Sequence, residues 1–277
     1  MLDDVVALLA CGVCGRDLDR VGGALRCTAG HAFDIARQGY AHLASGRPAA
    51  LGDTSAMVAA RSDFLAAGHY APLTAALAQA CAELAPDARA VLDVGAGPGH
   101  HLRAVLERLD GAVGIALDAS VPAARRAARA HPRIGAVVAD VWRGLPVRSG
   151  AVALLLDVFA PRNADEFSRV LAPAGALLVV APGSGHLAEL VGALGLLTVE
   201  PGKTERLDAR LAGRFILARR REIVVPLRLT RPEVSALAGM GPSAWHARPR
   251  ELARDVARLP ELTQVTGIFT LSGYRRI

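Results

Sequence analysis

Short apolar runs alternate with amphipathic, helix-like segments along the chain from about residue 90 to residue 181. Each apolar run has the length of a buried strand, and its alternation with helical segments predicts a parallel α/β sheet. Two later strands, the last of them antiparallel, complete a predicted sheet that is mostly parallel and seven-stranded. The predicted strands are residues 90–94, 112–117, 134–139, 151–156, 176–181, 215–229 and 262–274.

A glycine-rich turn joins the strand at 90–94 to the next predicted helix. Gly95, Gly97 and Gly99 permit positive φ and let a ligand approach where a Cβ would block it. The free N–H groups at the start of that helix point to the same place. The spacing G-x-G-x-G is weak evidence by itself, and a tight turn without a ligand is the alternative. With Asp93 ahead of the glycines, the turn resembles the first motif of the S-adenosylmethionine (SAM) methyltransferases.

Acidic residues end the next three predicted strands. Asp118 lies about 20 residues after the glycines, where a carboxylate accepts the ribose hydroxyls of a nucleotide; a helix N-cap shared with Ser120 is the alternative. Asp140 is placed to meet the adenine amino group of SAM, or it only makes a turn. Asp157 follows the fourth strand, where many methyltransferases orient the accepting atom, and it is our candidate catalytic residue.

Three of the four cysteines lie within the first 27 residues. Cys11 and Cys14 form a C-x-x-C knuckle, and Cys27 and His31 follow across a segment that Gly22–Gly23 can turn into a hairpin. Two pairs of soft ligands at this spacing are typical of a structural zinc site. Unremarkable cysteines or a redox C-x-x-C are the alternatives, although no thioredoxin-like βαβ unit is predicted around the pair.

Composition changes this picture modestly. The formal net charge is +6, the pI is about 9.7, and Lys203 is the one lysine among many arginines. This balance favours an acidic partner such as nucleic acid, and a codon bias toward Ala, Arg and Gly explains it equally well. The sequence has no apolar run of about 18 residues that could span a membrane and no basic secretory region at its start. We therefore expect a cytoplasmic protein with reduced thiols.

Several blocks of sequence together resemble one enzyme family. The pattern C-x2-C, then R-C-x2-G-H-x-F-D-x-A-R-x-G-Y-x-x-L, lies within residues 11–43, and further blocks lie at 52–73, 91–102, 159–190 and 240–249. They are similar to the 23S rRNA (guanine-N1)-methyltransferases, which include the tylosin-resistance type of macrolide-producing bacteria. The resemblance implies an α/β, Rossmann-like SAM-dependent methyltransferase domain (86–277), a small N-terminal zinc-binding module (1–45) and a linker with helical cover (46–85).

The resemblance also extends the set of candidate site residues. It implies that SAM and Zn²⁺ are the cofactors and that Tyr70 and His186 lie near SAM. The residues alone also allow a core or hinge aromatic for Tyr70 and a helix cap for His186. The full predicted cofactor-binding set is Tyr70, Asp93, Gly95, Gly97, Pro98, Gly99, His100, Asp118, Asp140 and His186, and the predicted metal ligands are Cys11, Cys14, Cys27 and His31.

Three other residues are predicted to act on the substrate. Arg37 and Trp245 are the candidate RNA contacts, and for Trp245 a lid over the cofactor is the alternative. Asp157 departs from the family, whose other members carry Arg or Asn at the matching place, which puts a shared catalytic role in doubt.

We therefore predict methylation of N1 of a guanine in a hairpin loop of 23S rRNA, with macrolide resistance and a homodimer as further expectations. A small-molecule SAM methyltransferase acting on a quinone or antibiotic precursor is the alternative, although it would not need a zinc module. A non-catalytic SAM- or RNA-binding protein is a third class, against which the complete predicted cofactor set argues.

Overall fold

The computed structural model describes residues 1–44, 46, 52–198, 200, 202–241 and 249–277. The strands in this part of the chain are β1 (Leu18–Val21), β2 (Ala24–Cys27), β3 (Ala32–Asp34), β4 (Tyr40–His42), β5 (Ala90–Val94), β6 (Val113–Asp118), β7 (Ile134–Val138), β8 (Val152–Val158), β9 (Leu171–Pro182), β10 (Phe215–Thr230) and β11 (Leu262–Arg276). The α-helices are α1 (Ser55–Ala66), α2 (Ala71–Leu84), α3 (His100–Arg108), α4 (Val121–Ala127), α5 (Ala164–Val170), α6 (Ala188–Leu194), α7 (Lys203–Leu211), α8 (Arg231–Met240) and α9 (Pro249–Ala257).

A mixed sheet forms the centre of the described chain, with eight strands in the order β10-β11-β9-β8-β5-β6-β7-β4. The strands from β9 to β4 are parallel, whereas β11 is antiparallel to β9, and β10 is antiparallel to β11. The predicted α/β architecture is confirmed, but the predicted number of strands is one too low. The additional strand is β4, a three-residue segment too short to give a strand signal of its own.

Apolar residues bury the central strands on both faces. All five residues of β5 are buried, and so are all five of β7, because helices or the N-terminal segment cover each face of the sheet. None of the described helices is both long and apolar enough to cross a membrane.

Local caps and one irregularity set several element boundaries. The Thr54 side chain accepts a hydrogen bond from Met57 N at 3.3 Å, so Thr54 caps α1. Asn163 caps α5 in the same way, at 3.3 Å from Glu166 N. Strand β10 includes three consecutive arginines, Arg219–Arg221, which pair with β11. The register of this pairing shifts between Leu217 and Arg219, as at a β-bulge.

The N-terminal segment is attached to the main sheet at both ends. A 3₁₀-helix at Leu2–Leu8 packs on β7 so closely that a Cβ at Gly135 would lie 2.2 Å from Val5 Cγ2. Strands β1, β2 and β3 then form a separate antiparallel sheet whose first turn uses Gly22 at φ +61°, and β4 returns to pair with β7. The division into residues 1–45, 46–85 and 86–277 stays a prediction.

Candidate active site and metal centre

A cavity of about 700 Å³ opens at the carboxyl ends of the central parallel strands. Parallel α/β sheets bind ligands at this edge, where the loops after the strands converge. Nine of the ten predicted cofactor residues line the cavity: Tyr70, Asp93, Gly95, Gly97, Pro98, His100, Asp118, Asp140 and His186. The tenth, Gly99, does not reach the wall, because it packs behind the turn against α4.

The glycine turn forms one wall of this cavity. Gly95 has φ +72° and Gly97 has φ +55°, backbone conformations that residues other than glycine rarely adopt. A Cβ at Gly95 would lie 2.5 Å from Ala160 Cβ, so the turn and the loop after β8 approach each other through bare backbone. At Gly99, with φ +80°, a Cβ would lie 3.2 Å from Ala127 Cα. That glycine is required for packing on α4 rather than for ligand contact.

Two predicted carboxylates lie at the carboxyl ends of the adjacent strands β6 and β7. Asp118 accepts hydrogen bonds from Gly97 N and Ser120 N, both at 2.8 Å, and so fixes the glycine turn. The N-cap of α4 is Ser120, whose side chain accepts from Ala123 N. Asp140 accepts from Trp142 N at 3.0 Å and caps the 3₁₀-helix Val141–Arg143, as its turn alternative required.

Asp93 presents an unsatisfied oxygen to the site. Its Oδ1 is buried with no hydrogen-bond partner among the described residues. Burial, with smaller effects from Asp157 and Asp118, raises its pKa well above the usual range. An unpaired buried carboxylate is costly unless a donor meets it, so this oxygen fits a cationic or N–H group of a bound ligand.

Two aromatic side chains of the cavity wall, Tyr70 and His186, pack on Phe269. Tyr70 packs edge-on against Phe269 at 4.9 Å between ring centroids, and His186 packs on the same phenylalanine at 4.8 Å. The Nδ1 atom of His186 lies 2.8 Å from the Ile268 carbonyl oxygen, to which a protonated Nδ1 donates, and 3.1 Å from Ile268 N. Burial lowers the pKa of His186 to about 4, so the ring is neutral near physiological pH.

Three residues that line the cavity were not predicted from the sequence. Phe159 is 44% exposed and adopts φ +57°, an unusual conformation for a bulky residue. Arg162 and Lys203 line the same cavity, and burial together with the Arg162 charge lowers the pKa of Lys203. The available signal was that Lys203 is the one lysine in the chain.

Asp157 lies behind this wall. It has 0% exposure and does not line the cavity, and its Oδ1 is 2.9 Å from Arg162 Nε. The catalytic role of Asp157 therefore stays a prediction. The contact that the structure describes is an ion pair that holds Arg162 in position.

Arg61 and His101 were also missed, and both border the cavity. Arg61 forms an ion pair with Asp53 and donates to the Met240 carbonyl at 2.5 Å, which joins α1 to the end of α8. Its position within the block at 52–73 was the only sequence signal. His101 is buried, and its Nδ1 lies 3.0 Å from Thr74 Oγ1.

The four predicted metal ligands converge at the start of the chain. One ligand atom from each of Cys11, Cys14, Cys27 and His31 lies within 4.8 Å of the others. Individual separations are 3.8 Å between Cys14 Sγ and Cys27 Sγ, and 3.4 Å between Cys27 Sγ and His31 Nδ1. Cys81 lies elsewhere and is fully buried in α2.

The two predicted RNA contacts lie outside the cavity or outside the described residues. Arg37 is exposed in the turn between β3 and β4. Trp245 lies outside the described residues, and so does most of the block at 240–249, so both of its alternatives remain predictions.

Comparison with known proteins decides the family. The RlmA N-terminal zinc ribbon model matches residues 9–44. A 23S rRNA (guanine(748)-N1)-methyltransferase from Streptomyces fradiae is 50% identical over 271 residues, covering 96% of each chain. A relative from Micromonospora griseorubida with the same family name is 50% identical over 100% of both chains. The chain belongs to the 23S rRNA (guanine-N1)-methyltransferases.

The solved structures that resemble this methyltransferase share its fold but little of its sequence. A chain from the complex of the Haloferax volcanii Trm112 methyltransferase activator with a methyltransferase aligns with a TM-score of 0.53 and 18% identity, covering 82% of this chain and 99% of that chain. The MccD protein aligns with a TM-score of 0.50 and 15% identity, covering 73% of this chain and 96% of that chain. Both confirm the methyltransferase fold.

The cofactors of this methyltransferase are SAM and zinc, and the described residues fit both. A tetrahedral zinc ion with Zn–S bonds of about 2.3 Å needs ligand atoms roughly 3.5 to 4 Å apart, as the cysteine and histidine atoms are. For SAM, the bare backbone of the glycine turn and the unpaired Asp93 oxygen provide close approach and a partner for a cation. Which individual residues contact SAM stays a prediction.

Proposed function

We propose that this protein transfers a methyl group from SAM to N1 of a guanine in a hairpin loop of 23S rRNA. The observation that carries the proposal is 50% identity over the full chain to relatives named for this reaction. The described cavity is compatible with it, since acidic groups and the bare backbone of the glycine turn line it, and an exposed aromatic residue and two cations line it as well.

On the cofactor side, each residue has a binding role in the proposal. Asp118 accepts the ribose hydroxyls with the lone pairs that Gly97 and Ser120 leave available. Asp140 receives the adenine amino group, and Asp93 pairs with the ammonium of the methionine part. Bound SAM supplies an electrophilic methyl group on a positively charged sulfur.

On the acceptor side, Phe159 offers a face on which an extruded guanine stacks. Guanine N1 carries a proton at neutral pH, so this proton must pass to bulk water before methyl transfer, and the negative charge of the deprotonated base spreads onto guanine O6. Arg162 and Lys203, two cations that line the cavity, stabilise that charge. The N1 lone pair then takes the methyl group, and the sulfur of SAM would leave as a neutral thioether. Asp157 acts as a positioning residue that holds the Arg162 guanidinium.

Three finer expectations belong to the proposal. The resemblance to the tylosin-resistance type favours macrolide resistance as the consequence of the methylation. A cytoplasmic location follows from a ribosomal RNA substrate. The prediction of a homodimer rests on the resemblance alone.

The decisive experiment uses unmodified 23S rRNA, labelled SAM and primer extension. We expect incorporation of label and one SAM-dependent stop at a hairpin-loop guanine, because a methyl group on N1 blocks base pairing. A transcript with 1-methylguanosine already at that position is the matched control and should take up no label. Transfer to the blocked transcript would contradict the N1 assignment, and absence of label in any rRNA would favour the small-molecule alternative. Expression in a macrolide-sensitive host tests the resistance role in parallel.

A further inference from the structure

A second concave surface lies beside the cofactor cavity and has no role in the proposed reaction. Its volume is about 520 Å³, and its walls come from α1, α3 and α4. Four arginines line it, Arg103, Arg125, Arg126 and Arg129, and no acidic residue is among its described lining residues. We call this surface the arginine cleft.

Most of the charge in the arginine cleft is not neutralised within the fold. Arg103 contacts Glu107 at 2.8 Å, with both side chains about half exposed. Arg125, Arg126 and Arg129 have no ion pair with any residue that the structure describes, and all three are exposed. The cleft therefore presents several guanidinium groups whose donors are available to a ligand.

The close spacing of these arginines destabilises the helix that carries them. Arg125 and Arg129 are four residues apart, and Arg126 and Arg129 are three apart, so these side chains are neighbours at the end of α4 and just beyond it. Like charges at such spacings destabilise a helix by about 0.2 to 0.5 kcal/mol per pair. Interaction with the C-terminal end of the helix dipole offsets part of this cost, but it does not require the arginines to converge on a concave surface.

The cleft is tied firmly to the glycine turn. It shares three lining residues, Leu65, Pro98 and His100, with the cofactor cavity. Gly99 packs against Ala127 and Ala130 of the α4 region, with 3.2 Å from its Cβ position to each. A ligand in the cleft would thus lie at a fixed place relative to the site of methyl transfer.

We propose that the arginine cleft binds the phosphodiester backbone of the substrate RNA beside the guanine that enters the cavity. Guanidinium groups match phosphate oxygens through paired N–H donors, which makes arginine the favoured residue for this contact. A phosphodiester backbone also explains why no acidic residue is among the described residues that line the cleft. The inference rests on the proposed function, because it takes RNA as the substrate.

The test compares two double variants that remove the same charge. Arg125→Ala/Arg129→Ala alters the cleft, whereas Arg221→Ala/Arg228→Ala alters two exposed arginines on β10, at the far edge of the sheet. Binding of the 23S rRNA hairpin is measured over a series of KCl concentrations. For two lost phosphate contacts, the slope of log Kd against log [KCl] should fall by about 1.5, with roughly tenfold weaker binding at low salt. The β10 variant should stay close to the wild-type slope.

Additional variants keep the outcome interpretable. Arg125→Lys/Arg129→Lys retains the charge and should restore most of the slope, while unchanged SAM affinity and thermal melting would show that the fold is intact. An equal loss in the cleft and β10 variants, or no change in the slope of the cleft variant, would overturn the proposal. Strong competition by inorganic phosphate at constant ionic strength would indicate a free-anion site and would also overturn it. Normal methylation at N1 with no change in slope would refute the cleft alone, whereas salt-dependent binding without methylation would refute the proposed function alone.

Discussion

Phe159 holds a backbone conformation that bulky residues rarely adopt. Its φ of +57° places a partly exposed ring in the cavity wall instead of in the core, where its neighbour Phe269 lies 5.7 Å away between centroids. Such strain costs of order 1 to 3 kcal/mol and persists when surrounding structure imposes it. Phe159 lies directly after β8 and lines the cavity, so the strain is consistent with a residue retained for substrate contact.

Replacement of Phe159 by glycine separates stability from activity. Glycine adopts positive φ without strain, so we expect Phe159→Gly to melt within a few degrees of the wild type. Loss of base stacking, worth about 1 to 3 kcal/mol, should lower kcat/KM for the RNA by about tenfold to a hundredfold. Steady-state kinetics and thermal melting measure both effects. Unchanged kcat/KM for RNA would remove Phe159 from the acceptor site.

His101 should make the protein sensitive to acid. Burial, assisted by the His100 and Arg61 charges, lowers its pKa to about 3. An unfolded histidine has a pKa near 6.5, so below that pH the unfolded chain binds a proton that the native state does not. The free energy of unfolding therefore falls with decreasing pH, by about 2 kcal/mol for one such group between about pH 7.5 and about pH 5.

Urea unfolding at the two pH values checks this expectation. The His101→Gln variant can keep a hydrogen bond to Thr74 but cannot titrate, so its stability should fall less than that of the wild type by about the same amount. Equal losses in the two proteins would mean that His101 is not the group responsible.

At the scale of elements, the zinc module shows how a short segment reaches a defined structure. Strands β1 to β3 have three or four residues each, which bury too little apolar surface to be stable alone. The Cys11–Cys14 knuckle precedes β1 and the Cys27–His31 pair flanks the turn from β2 to β3, so both pairs lie at the same end of this small sheet, where a metal joins them. Metal binding then supplies much of the folding free energy of the segment.

Two matched cysteine variants test the metal site. Cys14→Ala removes an exposed ligand, whereas Cys81→Ala removes a buried thiol outside the cluster. We expect about one zinc per chain in the wild type and in Cys81→Ala, and a large loss of zinc with a lower melting temperature in Cys14→Ala. Elemental analysis of the purified proteins gives the ratio. Zinc-free wild-type protein with a Cys11–Cys14 disulfide would favour the redox alternative.

Features that depend on residues close together in the sequence were predictable, whereas features that depend on contacts between distant segments were not. The strand at 90–94 and the Gly95 turn depend on neighbours along the chain, and the structure has them where the pattern predicts. Phe159, Arg61 and Asp157 depend on which distant segments meet. The pattern near Asp157 predicts the end of a strand, but only the tertiary fold shows that its side chain is buried against Arg162 and does not line the cavity.

At the scale of the whole molecule, the same reasoning explains the missed strand. Tyr40 pairs with Ala136, and His42 pairs with Val138, almost a hundred residues later. Three residues carry no period that could indicate such a pairing. The approach of Gly12 to Leu43 is equally invisible in the sequence, yet a Cβ there would lie 1.7 Å from the Leu43 carbonyl oxygen. The zinc knuckle is thus held directly against the chain that forms β4.

The pairing of β4 with β7 has a consequence for solubility. Strand β7 is entirely apolar and buried, and without β4 it would be the last strand on that side of the sheet. An exposed, apolar edge with unpaired N–H and C=O groups is a template for aggregation. The metal-bound segment covers that edge through β4, so we expect that loss of zinc would expose β7 and promote aggregation of the protein.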